Sequence, residues 1–302
     1  MTDESTDQAV NTAEQTFSWW KRVAIVLLLV TLASIYPLIM VLSHKVTNVI
    51  PGNTPNQVWD DRKVGAAIEV LEREDFYGWA AATPTWHPKA RLTAMPAYQQ
   101  GISSVFSEFA GMRSELSRDE APDTDLKHAY TLLQELDGKD SADKLHAAIE
   151  ALRRYHGRKA RSLTEDQDPK LVLKQDLALF DTILNSVIAR LDAIAAQPSR
   201  GVFNRELVTD YYRAKGQIHA IAMLVKATPR ENDNIDGFAD ALDKLNTSLS
   251  RATRPAPLTV SNPQPGKFSF GGNDVMQLAY LARKADDDLR QLQSLLNTSS
   301  DS

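Results

Sequence analysis

Leu171 to Gln197 reads LVLKQDLALFDTILNSVIARLDAIAAQ. Its apolar residues fall at Leu173, Leu177, Phe180, Leu184, Val187, Leu191 and Ile194, in steps of 4-3-4-3-4-3. A helix turns once in about 3.6 residues, so this spacing draws a single apolar stripe along one face. Sustained over several turns, it is the pattern of helices that pack at small crossing angles.

The same step recurs on both sides of this stretch. It runs through Leu207, Tyr211, Ala214, Ile218, Ile221 and Val225, then through Phe238, Leu242, Leu245, Leu249 and Ala252. A last helix carries Leu278, Ala282, Ala285, Leu289, Leu292 and Leu296. Shorter versions occur at Ala129, Leu133 and Leu136 and at Leu145, Ile149 and Leu152. Phe106, Phe109 and Met112 belong to a helix from about Pro96 to Arg118, and a short helix is expected from Arg62 to Asp75 with Val64, Ala67, Ile68 and Leu71 on one face. Gly138, Asp168-Pro169, Pro198-Ser199 and Thr228-Pro229 separate the helices, with Ser141 and Asn273 as expected N-caps. Short connections favour antiparallel neighbours, so the expected fold is all-α, an antiparallel helical bundle. One connection differs. Arg254 to Gly272 holds Pro255, Pro257, Pro263 and Pro265 followed by Lys267-Phe268-Ser269-Phe270, and reads as a long Pro/Gly-rich loop or small hairpin.

Ahead of the bundle, Val23 to Leu42 (VAIVLLLVTLASIYPLIMVL) carries no charge. Twenty helical residues cover about 30 Å, the thickness of a bilayer's hydrocarbon core. The run is longer than a signal-peptide apolar region, and Val41-Leu42-Ser43-His44-Lys45 makes a poor cleavage site. Trp19 and Trp20 stand where headgroup anchors belong, flanked by Lys21 and Arg22, while Lys45 is the one basic residue close to the far end. Two charges against one favour a cytoplasmic N-terminus. The expected organisation is a short acidic tail (1–18), a transmembrane anchor (19–45), a juxtamembrane linker (46–61), an extracytoplasmic helical domain (62–297) and a disordered end (298–302).

Composition narrows the function classes. With no cysteine in 302 residues, disulfides, thiolate zinc sites and cysteine nucleophiles are excluded. A net charge of −5 without a basic block gives no footprint for nucleic acid. The six histidines form no His-x-x-x-His pair, so neither a metal site nor a cofactor is expected. Ser141-Ala-Asp-Lys144 matches a Ser-x-x-Lys pattern without its companion motifs, and an N-cap explains Ser141 better. Glu69, Glu72, Glu74 and Asp75 gather before an aromatic stretch; Glu69, Glu72, Glu74 or Glu108 is the candidate for a carboxylic general acid, against the simpler reading of a solvated face.

The stretch from Phe76 to Pro96 has the most unusual composition. Trp79, Trp86 and His87, with Tyr98 and Gln99 just beyond, form a candidate binding surface of rigid aromatic anchors. The competing reading is that these aromatics cap the end of the bundle or pack near the headgroups.

Trp86-x-Pro88, the Met95-Pro96 step leading to Gln99 and Gly101, Ser117-Arg118, and Tyr212 with Ala214 and Gly216-Gln217 carry a resemblance. Together with the N-terminal anchor, they resemble a bacterial family of single-pass inner-membrane proteins, a domain of unknown function found in Gram-negative bacteria. The resemblance spans nearly the whole chain and implies no catalytic residues. Where that family favours Leu-Asp-Asn, this chain has Leu92-Thr93-Ala94, so a functional carboxylate at that point would be missing. The expected function is a non-catalytic scaffold or interaction protein of the cell envelope, in the inner membrane with its bulk in the periplasm. Two alternatives stay open: a peptidoglycan hydrolase using a carboxylate, and a reversed topology whose bundle binds cytoplasmic partners. Oligomeric state is left open by the sequence.

Overall fold

The structure, a computed structural model, describes residues 19–35, 61–84, 93–116, 121–164, 168–197, 204–230, 235–257, 260–262 and 272–298. Residues 19–35 form helix α1. The rest are α2 (Arg62–Tyr77), a one-turn 3-10 helix (Ala80–Ala82), α3 (Ala94–Glu115), α4 (Thr124–Gln134), α5 (Ser141–Lys159), α6 (Pro169–Ala195), α7 (Arg205–Lys226), α8 (Phe238–Thr253) and α9 (Asp274–Thr298). Among the described residues there is no strand, so the all-α expectation holds. The hairpin alternative at Lys267–Phe270 lies outside the described residues, as do the tail 1–18, Lys45, linker residues 46–60, Trp86, His87 and residues 299–302. Two expected boundaries move. Asp61 belongs to the bundle, as the buried cap of α2, and Thr298 is still helical.

Each heptad position of α6, α7, α8 and α9 named from the sequence is buried. The helices start where side chains can satisfy free backbone N–H groups. Asp61 accepts from the Lys63 and Val64 amides, Asp123 from Asp125 and Leu126, Asp168 from Lys170 ahead of Pro169, Asn204 from Leu207, and Asn273 from Met276. Ser141 departs from expectation. It is the first helical residue rather than the cap, and its fully buried Oγ has no hydrogen-bond partner in the structure.

The layout follows from which helices lack a polar face. In α7 the eight residues from Ile218 to Val225 are all buried, so this helix runs through the interior, packed against α2, α3, α6, α8 and α9. Around it, α6 and α9 pair antiparallel, as the contacts of Gln293 with the Leu177 carbonyl, Arg290 with Asn185 and Arg283 with Asp192 show. A second antiparallel pair, α4 and α5, is stitched by Lys144–Glu135, Arg154–Asp125 and Arg158–Asp123. Helix α2 is also interior: Lys63 through Ile68 are buried in succession, where the sequence pattern had suggested one apolar face.

The tightest crossing in the bundle, α3 on α7, rests on two glycines. A Cβ on Gly101 would lie 2.2 Å from the Arg213 carbonyl oxygen, and one on Gly216 would lie 2.1 Å from that of Tyr98. Both obstacles are helical backbone, which cannot step aside without opening the crossing. Gly216→Ala is therefore expected to cost about 3 kcal/mol, at the upper end of overpacking effects. Gly157→Ala, whose Cβ would meet only the end of Arg161 at 4.0 Å, should be neutral or stabilise by up to about 1 kcal/mol. Urea unfolding of the two variants decides it; equal midpoints would refute the close approach.

Candidate functional site

Trp19, Trp20, Lys21 and Arg22 open α1, and all four side chains are exposed. Trp79, Tyr98 and Gln99 sit in the interior. The Trp79 indole donates to the Leu136 carbonyl at 3.1 Å, and Tyr98 packs beside His219 with ring centres 5.9 Å apart. Gln99 is a structural clasp. Its Oε1 accepts from the Ala80 amide at 2.8 Å, while Nε2 donates to Glu74 at 3.1 Å and to the Gly78 carbonyl at 3.3 Å. Gln99 ties α2 and the 3-10 turn to α3, Trp79 reaches the turn after α4, and Tyr98 faces α7; all three are buried.

Glu74 corrects the reading of the acidic run as a solvated face, because it is buried, held by Gln99 and lying 3.8 Å from the Arg73 Nε. Glu72 instead pairs with Arg153 at 2.6 Å near the surface. Ser141 and Lys144 form no reactive pair: the lysine is engaged with Glu135 at 3.0 Å and Asp140 at 3.3 Å. Among the described residues no group of three or more His, Asp or Glu could hold a metal ion.

Two buried polar clusters were not visible in the sequence. In the first, Asp176 receives Lys63 at 2.5 Å and a bidentate Arg113, through Nε at 3.0 Å and Nη2 at 2.8 Å. Arg113 also approaches Asp61 at 3.7 Å. Burial works against the ionised Asp61, but Arg113, the Val64 amide and nearby lysines outweigh it and hold the carboxyl below its ordinary range. Burial likewise pulls the Lys63 ammonium down, against the raising effect of Asp176. The cluster ties α2, α3 and α6 together.

The second cluster centres on His219, which is fully buried. Arg73 Nη2 lies 2.9 Å from its Nε2. A guanidinium can only donate, so Nε2 is the acceptor and the ring is neutral with its proton on Nδ1. Nδ1 has no hydrogen-bond partner in the structure. Burial, with Arg73 and Lys215 nearby, lowers the imidazole to about 3. One turn away, Lys215 donates to the Pro255 carbonyl and Tyr212 to that of Pro257. Burial brings this ammonium down to about 7.

An open polar groove of about 390 Å³ lies between α3, α6 and α7, closed at one end by the α4–α5 turn. Gln100, Ser104, Ser107 and Glu108, on one face of α3, form one wall; Arg190 of α6 and Arg213 and Gln217 of α7 form the other. Partial burial raises the Glu108 carboxyl. Of the carboxylates singled out in the sequence, Glu108 is the one that lines this groove. Its i, i+3, i+4, i+7, i+8 series of polar residues along α3 (Gln100, Ser103, Ser104, Ser107, Glu108) is the signal that could have marked the groove.

The chain matches no family model, no curated protein and no solved structure.

The neutral, buried His219 makes stability depend on acid. Its folded value, about 3, lies below the ordinary 6.5, so the unfolded chain binds more protons between these limits. The contribution is complete above pH 6.5 and is lost as pH falls toward 3, on the order of 4 kcal/mol in all. His219→Gln keeps an acceptor for Arg73 and removes the titration. Urea midpoints of the wild type should fall more steeply than those of the variant between pH 6 and 4; parallel curves would rule this out.

Proposed function

We propose that this chain is a single-pass, membrane-anchored protein whose helical bundle lies in the periplasm of a Gram-negative cell and serves there as a non-catalytic scaffold or interaction module. The observation that carries this reading is α1. Ile25, Val26, Leu27, Leu28, Leu29, Val30 and Leu32 are each 54–60% exposed, on every side of the helix. A helix apolar all round is stable only when something apolar surrounds it. Among the described residues no helix is long and apolar enough to cross a membrane; α1 is described to residue 35, and the uncharged sequence continues to Leu42. Lipid is the covering that fits this length of sequence, with Trp19 and Trp20 at the headgroups. Lys21 and Arg22 against Lys45 support the cytoplasmic placement of the N-terminus.

The bundle supports a non-catalytic role because the side chains of Gln99, Asp176 and Arg73 hold helices together through bonds to other side chains or to backbone. Carbonate-washed membranes should retain the intact chain, and alkaline phosphatase fused after Ser302 should be active in intact cells. Release of the chain into the soluble fraction refutes the anchor. A stable but inactive fusion reverses the topology and favours cytoplasmic partners.

Glu108 favours a second reading, an envelope hydrolase, because its carboxyl lines a polar groove and is raised by partial desolvation, the direction general acid catalysis requires, while the residue stays open to solvent. Release of soluble fragments from purified peptidoglycan, abolished by Glu108→Gln, would select it over the scaffold reading.

A further inference from the structure

The two walls of the α3–α6–α7 groove have opposite hydrogen-bonding character. On α3 the serine hydrogens are already used: Ser103 Oγ donates to the Gln100 carbonyl at 3.2 Å, Ser104 to Gly101 at 2.9 Å and Ser107 to Tyr130 at 3.0 Å. A hydroxyl that has given its hydrogen can only accept. Gln217 Nε2 reaches Ser104 Oγ at 3.4 Å, which leaves Ser103 and Ser107 as the acceptors not engaged this way. Glu108 ends this wall with a carboxylate. From Ser103 to Glu108 the α3 wall therefore accepts, with the Gln100 amide nitrogen as its one donor beside Arg213.

The facing wall donates. Arg190 is paired with Asp210 at 3.2 Å, but the Arg213 guanidinium meets a neutral partner, Gln100 Oε1, at 3.0 Å. Among the described residues no carboxylate pairs with Arg213, and no cation pairs with Glu108. Arg213 and, on the α3 wall, Glu108 thus stand without a salt bridge among the described residues, and Asp137 on the α4–α5 turn adds a second unpaired carboxylate to the lining.

Their separation sets the size of an occupant. Gln100, which holds Arg213, and Glu108 are eight residues apart on one helix, a rise of about 12 Å. An extended peptide covers about 3.3–3.6 Å per residue, so three residues bridge the two charges once side-chain reach is allowed for. The volume, about 390 Å³, is at the small end of ligand sites. A simple anion would satisfy Arg213 and leave the accepting wall unmatched. A neutral sugar would leave both charges as they are. A peptide with free ends places a carboxylate at Arg213, backbone N–H groups along the serines and an ammonium at Glu108.

We propose that this groove binds a short peptide with free termini, about three residues long, held by its carboxylate on Arg213 and its ammonium on Glu108. Binding of the ammonium also restores to Glu108 the counter-charge that its partly desolvated position lacks.

Calorimetric titration of the purified full chain with trialanine, N-acetyl-trialanine, trialanine amide and inorganic phosphate tests this. Trialanine is expected to bind with Kd on the order of 1 mM, since the groove is open. Blocking either end should weaken binding roughly tenfold, the effect of one charge-assisted contact. Arg213→Gln should bring trialanine to the level of its amide and weaken the amide no further; Glu108→Gln should do the same with the acetylated peptide. No saturation by trialanine up to about 10 mM, equal affinity for all three peptides, or phosphate binding tighter than trialanine through Arg213 would each overturn the proposal. The blocked peptides on the unaltered protein decide it even where a variant does not fold.

Discussion

At the crossing of α3 and α7 there is no room for a side chain. Gly101 and Gly216 face each other's backbones so closely that any Cβ would overlap a carbonyl oxygen. This contact fixes the neighbouring residues on both helices. Tyr98 and Gln99 are pressed toward α2 on one side, and Lys215 and His219 are carried inward from α7. On the open side of the same crossing, Gln100 and Ser104 meet Arg213 and Gln217, and these residues line the polar groove. Interior clasp and surface groove are two faces of one close approach.

A helix buried all round brings polar residues inside with it, and each unmatched one costs stability. His219 stays neutral and accepts from Arg73 at Nε2, while its Nδ1 has no partner. Lys215 and Tyr212 donate to the carbonyls of Pro255 and Pro257, which follow α8. Those carbonyls are open to side-chain donors because the segment forms no regular structure of its own. The prolines that stop the helix therefore also supply what α7 needs. Asp176 does the same at another point, gathering Lys63 and Arg113 so that α2, α3 and α6 share one buried charge. Such a cluster adds little net stability over apolar packing, but removing one member strands the rest, which favours a single arrangement of the three helices.

The four long helical stripes were legible because a 3.5-residue apolar period is a local pattern, and every position it named on α6 to α9 is buried. The interior standing of α2 and α7 was not. Their second buried faces mix Gly, Ala, Lys and His with a few apolar residues such as Val70, Met223 and Leu224, too interrupted to draw a second stripe. The aromatic cluster leaves surface and core both open in the sequence: Trp79 and Tyr98 look alike whether they anchor a partner or fill a core, and the contacts of Gln99 with Glu74, Gly78 and Ala80 separate the two. The groove escaped because it is assembled from residues more than a hundred positions apart, as in Gln100 with Arg213. Its one local trace, the polar series from Gln100 to Glu108, resembles an ordinary solvated helix face.

Helix α1 and the bundle differ in where their apolar groups face, outward in α1 and inward in the bundle. In α1, Thr31 and Ser34 donate to the carbonyls four residues back, at Leu27 and Val30. Exposed threonines of the bundle, Thr131 and Thr182 among them, make the same local bond. In the bundle the first described residue, Asp61, at once caps α2 and approaches Arg113. Through Arg113 it is joined to Asp176, deep in α6. The ionic cluster thus ties the start of α2 to α3 and α6, so the end of this helix is held by charge pairs spread over three helices rather than by its cap alone.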